Sequence, residues 1–173
     1  MNRKKGKGCF PCHIWGIEDA VKAKDAFRGT AIRIYGDETE LEDGTVLHMN
    51  YMWDDGSRRL LRCSQCGGLV IRQRSEFHGG LDDDADYLDW IPVASEEEAD
   101  LLNILWGPLE LEGYPFRLLR ANDYRYFWTE AGEPVPYDPE ELKEKIREKY
   151  SGLKPEQKEM LENLIRKAGN TGG

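Results

Sequence analysis

Cys63-Ser64-Gln65-Cys66-Gly67-Gly68 lies in the middle of the chain, and a matching stretch, Cys9-Phe10-Pro11-Cys12-His13, lies near the start. These two Cys-x-x-Cys pairs contain all four cysteines of the 173 residues. Four thiolates suit the tetrahedral coordination that structural zinc prefers. One such ion would pin the N-terminal segment to the middle of the chain. The predicted ligands of this structural Zn²⁺ are Cys9, Cys12, Cys63 and Cys66.

The two pairs resemble the zinc-ribbon class, in which two Cys-x-x-Cys knuckles at hairpin tips share one zinc ion. Gly67 and Gly68 follow the second pair, and glycine there lets backbone N–H groups turn towards sulfur. The chain departs from simple ribbons, because His13 stands where a glycine is expected and 50 residues separate Cys12 from Cys63. The resemblance implies a structural zinc in a ribbon split by an inserted helix and strands, and it implies no particular activity.

Three other interpretations of the cysteines stay open. Cys9 to His13 also has the Cys-x-x-Cys-His pattern of covalent haem attachment, which would leave the second pair unused. A thioredoxin-like redox pair needs a preceding strand, and the eight-residue basic tail leaves no room for one. A catalytic zinc could combine Cys9 or Cys12 with His13 or His48 and keep a water ligand.

The composition is that of a globular cytoplasmic protein. The hydrophobic fraction is 39%, with five Trp, eight Tyr and five Phe. No apolar run approaches the roughly 20 residues that cross a bilayer, so no membrane association is expected. The basic start leads into no apolar segment, which argues against a secretory signal. In the cytoplasm, cysteine pairs bind metal more often than they form disulfides.

The formal net charge of −9 is concentrated in one segment. Residues 75–116 contain 12 acidic residues and no Lys or Arg, whereas residues 117–173 contain 11 of each sign. Binding of nucleic acid over the whole surface is disfavoured, because phosphate contacts need clustered cations. A basic protein is the partner that this segment favours.

Aromatic side chains interleave with these acids and predict a docking surface, since aromatic residues within a charged rim are common in tight interfaces. A solvated acidic loop is the alternative, and the spacing lacks the glycine and glutamate of a calcium-binding EF-hand. The predicted partner-binding residues are Asp82, Asp83, Asp84, Asp86, Tyr87, Asp89, Trp90, Glu96 and Glu97.

The pattern of the chain predicts an α+β fold: an antiparallel sheet meander with a zinc-ribbon-like knuckle site, packed helices and a C-terminal helical hairpin. Helices are predicted at 17–27 and 95–106, and strands at 30–35, 45–53, 58–62, 69–74, 116–120 and 124–128. A turn is predicted at 54–57 and an acidic loop at 79–90. The predicted segments are a zinc-stabilised α+β domain at 1–131, a Pro-rich linker at 132–138, the helical hairpin at 139–168 and a flexible tail at 169–173.

These features predict a small non-enzymatic protein-binding module with an acidic aromatic surface. An inhibitor or immunity-type protein that occludes a basic, nucleic-acid-processing enzyme would have this charge pattern. The first alternative is a nucleic-acid-associated zinc-ribbon protein, which would use the basic tail and the arginines beside Cys63 and Cys66. The second is a zinc-dependent hydrolase, although no convergent set of catalytic groups is apparent. The sequence indicates no oligomeric state.

Overall fold

A computed structural model shows six strands and four α-helices in the part of the chain that it describes. The structure describes residues 12–35, 42–43, 53–79, 84–105, 117–129 and 137–170. The predicted α+β class is confirmed. The elements are a 3₁₀ helix at His13–Gly16, α1 at Ala20–Ala26, β1 at Gly29–Tyr35, β2 at Trp53–Cys63, β3 at Leu69–His78, β4 at Asp84–Val93, α2 at Glu96–Leu105, β5 at Leu119–Asn122, β6 at Arg125–Trp128, α3 at Pro139–Lys149 and α4 at Pro155–Lys167.

The strands form one antiparallel sheet in chain order from β1 to β6. In the three long strands, Leu60, Ile71 and Ile91 lie directly opposite one another on one face. Alternation then places their neighbours Leu61 and Val70 on the other face. Both faces of β2, β3 and β4 therefore carry buried apolar side chains, and the sheet lies between two cores.

The larger core lies between the first face and the helices α2, α3 and α4. The helical residues in it recur every three or four positions, because one side of each helix faces the sheet or its neighbour. Its helical members include Leu101, Leu102, Leu105, Leu142, Ile146, Leu161 and Ile165. Through these contacts the C-terminal hairpin is packed into the core.

The smaller core lies on the second face, beneath the 3₁₀ helix and α1. Its members are Cys12, Ile14, Ala23, Phe27, Leu61, Cys63, Val70, Trp90 and Leu119. Two of the four cysteines therefore belong to this core.

The first turns of α2 and α3 are capped by the side chains that the sequence predicts. Asp138 caps α3 by accepting a hydrogen bond from the Glu140 N–H, and the Glu98 N–H donates to Ser95 Oγ at 3.0 Å at the start of α2. Side chains of this type satisfy N–H groups that have no partner within the helix. In the predicted tail, Gly169 donates its N–H to Asp100 Oδ2 at 2.7 Å, so the described chain is held at that point.

Two local predictions are wrong. Residues 54–57 are not a turn, since β2 runs through them with a shift of register between Asp54 and Ser57, as at a β-bulge. The loop predicted at 79–90 is instead the strand β4 from Asp84 onwards. The predicted strand at 45–53 and the linker up to residue 136 fall largely outside the described residues.

In the described part of the chain, no helix has the length and apolar character needed to cross a membrane.

Candidate metal centre

The second cysteine pair lies at the tip of the β2–β3 hairpin. Cys63 is the last residue of β2, and its N–H donates to Gly68 O at 2.8 Å while its carbonyl accepts from the Gly67 N–H at 2.9 Å. Gly67 has a φ of +73°, a conformation that side chains with a Cβ rarely adopt. The glycines after Cys66 thus make the tight turn that the sequence predicted.

Cys12 of the first pair reaches this turn by a close backbone approach. A Cβ atom on Gly68 would lie 2.7 Å from the Cys12 backbone N and 2.8 Å from its Cα. Only glycine leaves room for Cys12 at this distance. Cys12 leads directly into the 3₁₀ helix at His13–Gly16, where a ribbon knuckle has a glycine-containing turn.

Four possible ligand atoms converge here: the sulfur atoms of Cys12, Cys63 and Cys66 and a ring nitrogen of His13 all lie within 4.8 Å of one another. In a tetrahedral zinc site, bond lengths of about 2.0–2.3 Å put ligand atoms roughly 3.5–3.8 Å apart. A contraction of about 1 Å or less would bring all four around one ion, so the cluster could hold a metal. Cys9 lies outside the described residues, and its predicted role as a ligand stays a prediction.

The cluster lies at the border of the smaller core, with two buried and two exposed members. Burial raises the pKa of Cys12 to about 12, although the nearby N–H of Ile14 acts in the opposite direction. Burial alone would also raise the pKa of Cys66, but the backbone N–H groups of Gly68 and His13 outweigh it and lower that pKa. A metal must therefore displace a proton that is held more firmly at Cys12 than at Cys66.

The predicted partner-binding residues do not share one surface. Asp89 is only 1% exposed, and its carboxylate accepts hydrogen bonds from Arg120 at 2.6 and 3.1 Å. Trp90 points to the opposite face, where it is buried and packs edge-on against Phe27 with 5.0 Å between ring centroids. These two side chains are inside the protein and do not offer a contact to a partner.

The acids of α2 are paired with cations from other parts of the chain. Glu96 accepts from Arg33 at 2.9 Å and from Arg62 at 2.8 Å. Glu97 lies 3.0 Å from Lys143 of α3. The sheet and the helical hairpin therefore neutralise part of the segment that looks free of cations in the sequence.

The remaining acids lie at the outer end of β4. Asp84 and Asp86 are exposed, Asp86 lies 3.2 Å from Arg74, and Tyr87 is half-buried. Asp82 and Asp83 fall outside the described residues. Docking of a partner at this end stays a prediction.

Sequence reasoning left the role of His13 open, and the structure brings it into the cluster. The feature of the sequence that indicated this role was the position of His13 directly after Cys12. In the structure His13 begins the 3₁₀ helix at His13–Gly16. Comparisons of the chain with protein-family models, with curated proteins and with solved structures find no match.

Proposed function

We propose that this chain is a zinc-stabilised binding module in which the metal has a structural role. The observation that supports it most is the convergence of Cys12, His13, Cys63 and Cys66 within 4.8 Å. Thiolate and imidazole ligands are those that zinc prefers, and four protein ligands leave no open position for a substrate or water. Zinc here would fasten residues 12–16 to the β2–β3 hairpin, with a contribution to folding on the order of 10 kcal/mol.

Two residues, His13 and Cys9, are candidates for the fourth ligand. The cluster supports a site of three cysteines and His13, whereas the Cys-x-x-Cys spacing supports four cysteines with Cys9. The variants His13→Asn and Cys9→Ser distinguish these two sites, because only the loss of a true ligand weakens zinc binding. Cys63→Ser removes a buried ligand under either assignment and serves as the positive control.

Zinc content, zinc affinity and the number of thiols protected from a thiol reagent would be measured for each variant. One zinc per chain and protection of every ligand thiol are expected for the wild type. A Co²⁺-substituted protein should show the intense visible absorption of a closed tetrahedral site. Absence of stoichiometric zinc would refute the proposal, and an exchangeable water on the metal would favour the hydrolase alternative.

For the partner we propose a basic protein, and the support for it now rests on the carboxylates at the outer end of β4. Asp84 and Asp86 are exposed there. A Lys- and Arg-rich peptide should bind at low salt and weaken as salt screens the contact. The double variant Asp84→Asn/Asp86→Asn should lose affinity, and the charge-matched control Glu156→Gln/Glu159→Gln on α4 should not. Equal losses would mean that the peptide responds to net charge alone.

A further inference from the structure

On the second face of the sheet, the 3₁₀ helix and α1 cover part of the strands β4 to β6, whereas the neighbouring part of β1 to β3 is exposed. One row of register partners crosses all six strands on this face: Ile34, Arg59, Arg72, Trp90, Leu119 and Trp128. The last three pack under the 3₁₀ helix and α1. The first three are exposed, and Ile34 has 72% of its surface accessible.

The next row of the same face extends to the last strand, with Arg74 exposed, Leu88 and Tyr126 half-buried and Ala121 buried. Arg74, Leu88, Ala121 and Tyr126 are register partners on β3, β4, β5 and β6. Together with Arg72, with Tyr124 in the β5–β6 turn and with the carboxylates of Asp86 and Asp123, they line a cleft of about 330 Å³. We call this surface the arginine–tyrosine face, and its defining residues are Arg59, Arg72, Arg74, Tyr124 and Tyr126.

The arginines of this face place like charges directly opposite each other. Arg59 on β2 and Arg72 on β3 are register partners, an arrangement that destabilises an antiparallel pair. In the described part of the chain, neither of them forms an ion pair with a carboxylate, although Arg72 lies 5.2 Å from the ring centroid of Trp90. Arg74 differs, because Glu76 and Asp86 lie beside it. A bound anion between Arg59 and Arg72 would remove the repulsion.

Tyr124 presents an aromatic ring that the fold does not use. It is 96% exposed and has a φ of +68°, a conformation that glycine or asparagine adopts more readily. The adjacent Tyr126 is half-buried, with Lys24 Nζ 5.2 Å from its ring centroid. Exposed aromatic rings beside cations are the usual platform on which unpaired bases stack.

We propose that the arginine–tyrosine face binds single-stranded nucleic acid. A base lies in the cleft against Tyr124 and Tyr126, and the neighbouring phosphates contact Arg59 and Arg72. Four strand spacings separate β2 from β6, about 19 Å in all, which leaves room for a few nucleotides. A duplex keeps its bases stacked on one another, so it cannot use the tyrosines. The proposal does not depend on which metal the cysteine cluster holds.

The net charge of −9 is divided between the two faces of the sheet. By alternation along β4, Asp84 and Asp86 share the arginine–tyrosine face, and Asp86 lines the cleft, where Arg74 lies 3.2 Å from its carboxylate and offsets its charge. Other acids lie on the opposite side. Asp89 shares the face of Ile91, and α2 with its acids packs over that face. The layers are separated by about 10 Å, and charges at physiological salt are screened over about 8 Å.

The test is fluorescence anisotropy with a labelled 12-nucleotide single-stranded oligomer and the full-length, metal-loaded chain. Arg59→Gln/Arg72→Gln removes two phosphate contacts, so the slope of log affinity against log salt should fall by about 1.4. Tyr124→Ala should weaken binding about 5- to 150-fold, and Tyr124→Phe should retain it. Arg59, Arg72 and Tyr124 are all exposed, so the variants should remain folded. A cooperative thermal unfolding transition of each variant would show this.

Arg125→Gln is the matched control, since Arg125 is exposed and neighbours Tyr126 in β6, so its side chain lies on the opposite face. It should bind the oligomer like the wild type. Four results would overturn the proposal: no complex at 50 mM salt, an equal loss in Arg125→Gln, equally tight binding of a duplex, or an acidic peptide that binds in place of the oligomer with no effect of Tyr124→Ala.

Discussion

Replacement of Gly68 by alanine should damage the metal site specifically. The new Cβ atom would lie 2.7–2.8 Å from the backbone and Cβ of Cys12, where ordinary contacts begin at 3.4 Å. Cys12 would have to retreat by about 0.6 Å, and metal–ligand distances tolerate only about 0.2 Å. The change therefore separates Cys12 from Cys63 and Cys66 without removing a ligand.

The expected size follows from the cost of overpacking, which is about 1–3 kcal/mol. Without metal, the segment that carries Cys12 can relax away from the new methyl group, whereas the metal holds it in place. The strain then falls on the metal-bound state. Since every 1.4 kcal/mol is a factor of ten, the dissociation constant for zinc should rise about 5- to 150-fold.

Gly67→Ala is the matched control within the same turn. No atom lies within 4 Å of a Cβ at Gly67, but its φ of +73° is strained for alanine by about 1–2 kcal/mol. This strain is present with and without metal, so stability should fall while zinc affinity stays unchanged. Competition with a chromophoric chelator gives the affinity, and thermal denaturation gives the stability. Wild-type affinity in Gly68→Ala, or the same loss in both variants, would refute the reasoning.

Two further changes test the ion pairs. Asp89→Asn should lower the free energy of unfolding by about 3 kcal/mol, because it leaves Arg120 without its buried carboxylate. Asp86→Asn, at an exposed site, should change the free energy of unfolding by less than about 0.5 kcal/mol. Similar losses for the two variants in urea denaturation would contradict a structural role for Asp89. Arg147 lowers the pKa of Glu162 below its ordinary value of 4.5, so their pair stabilises the fold above that pH and the contribution is lost as the pH falls. Glu162→Gln should therefore cost about 0.5 kcal/mol at pH 7, since both side chains are half-exposed, and less under acid conditions; a cost that grows in acid would show that the pair is not the cause.

The sheet and the helical hairpin were predictable because their signals are local. Alternation at 30–35 marked β1, the reversal at 63–68 marked the start of β3, and Asp138-Pro139 marked the start of α3. The errors have the same origin. Residues 54–57 contain a turn-like sequence, but pairing with β3 keeps them in β2 with a bulge.

The candidate site was half predictable. The glycines after Cys66 indicated the tight turn, and the spacing of the cysteines indicated convergence on one metal. The approach of Cys12 to Gly68 and the entry of His13 into the cluster depend on how the 3₁₀ helix packs on the sheet. That packing joins residues about 50 positions apart, which no local pattern specifies.

The α+β class, the hairpin turn at 63–68 and the position of the C-terminal helices follow from neighbouring residues and their spacing, so they could be predicted from the sequence. The pairing of the charges depends on the folded arrangement. The segment 75–116 is cation-free along the chain, yet Asp89, Glu96 and Glu97 are paired with cations from β5, β1, β2 and α3. Arg59 of β2 and Arg72 and Arg74 of β3 remain on the open face. Charge interacts through space over a few ångströms, so its balance is set by strand register and helix packing rather than by order along the chain.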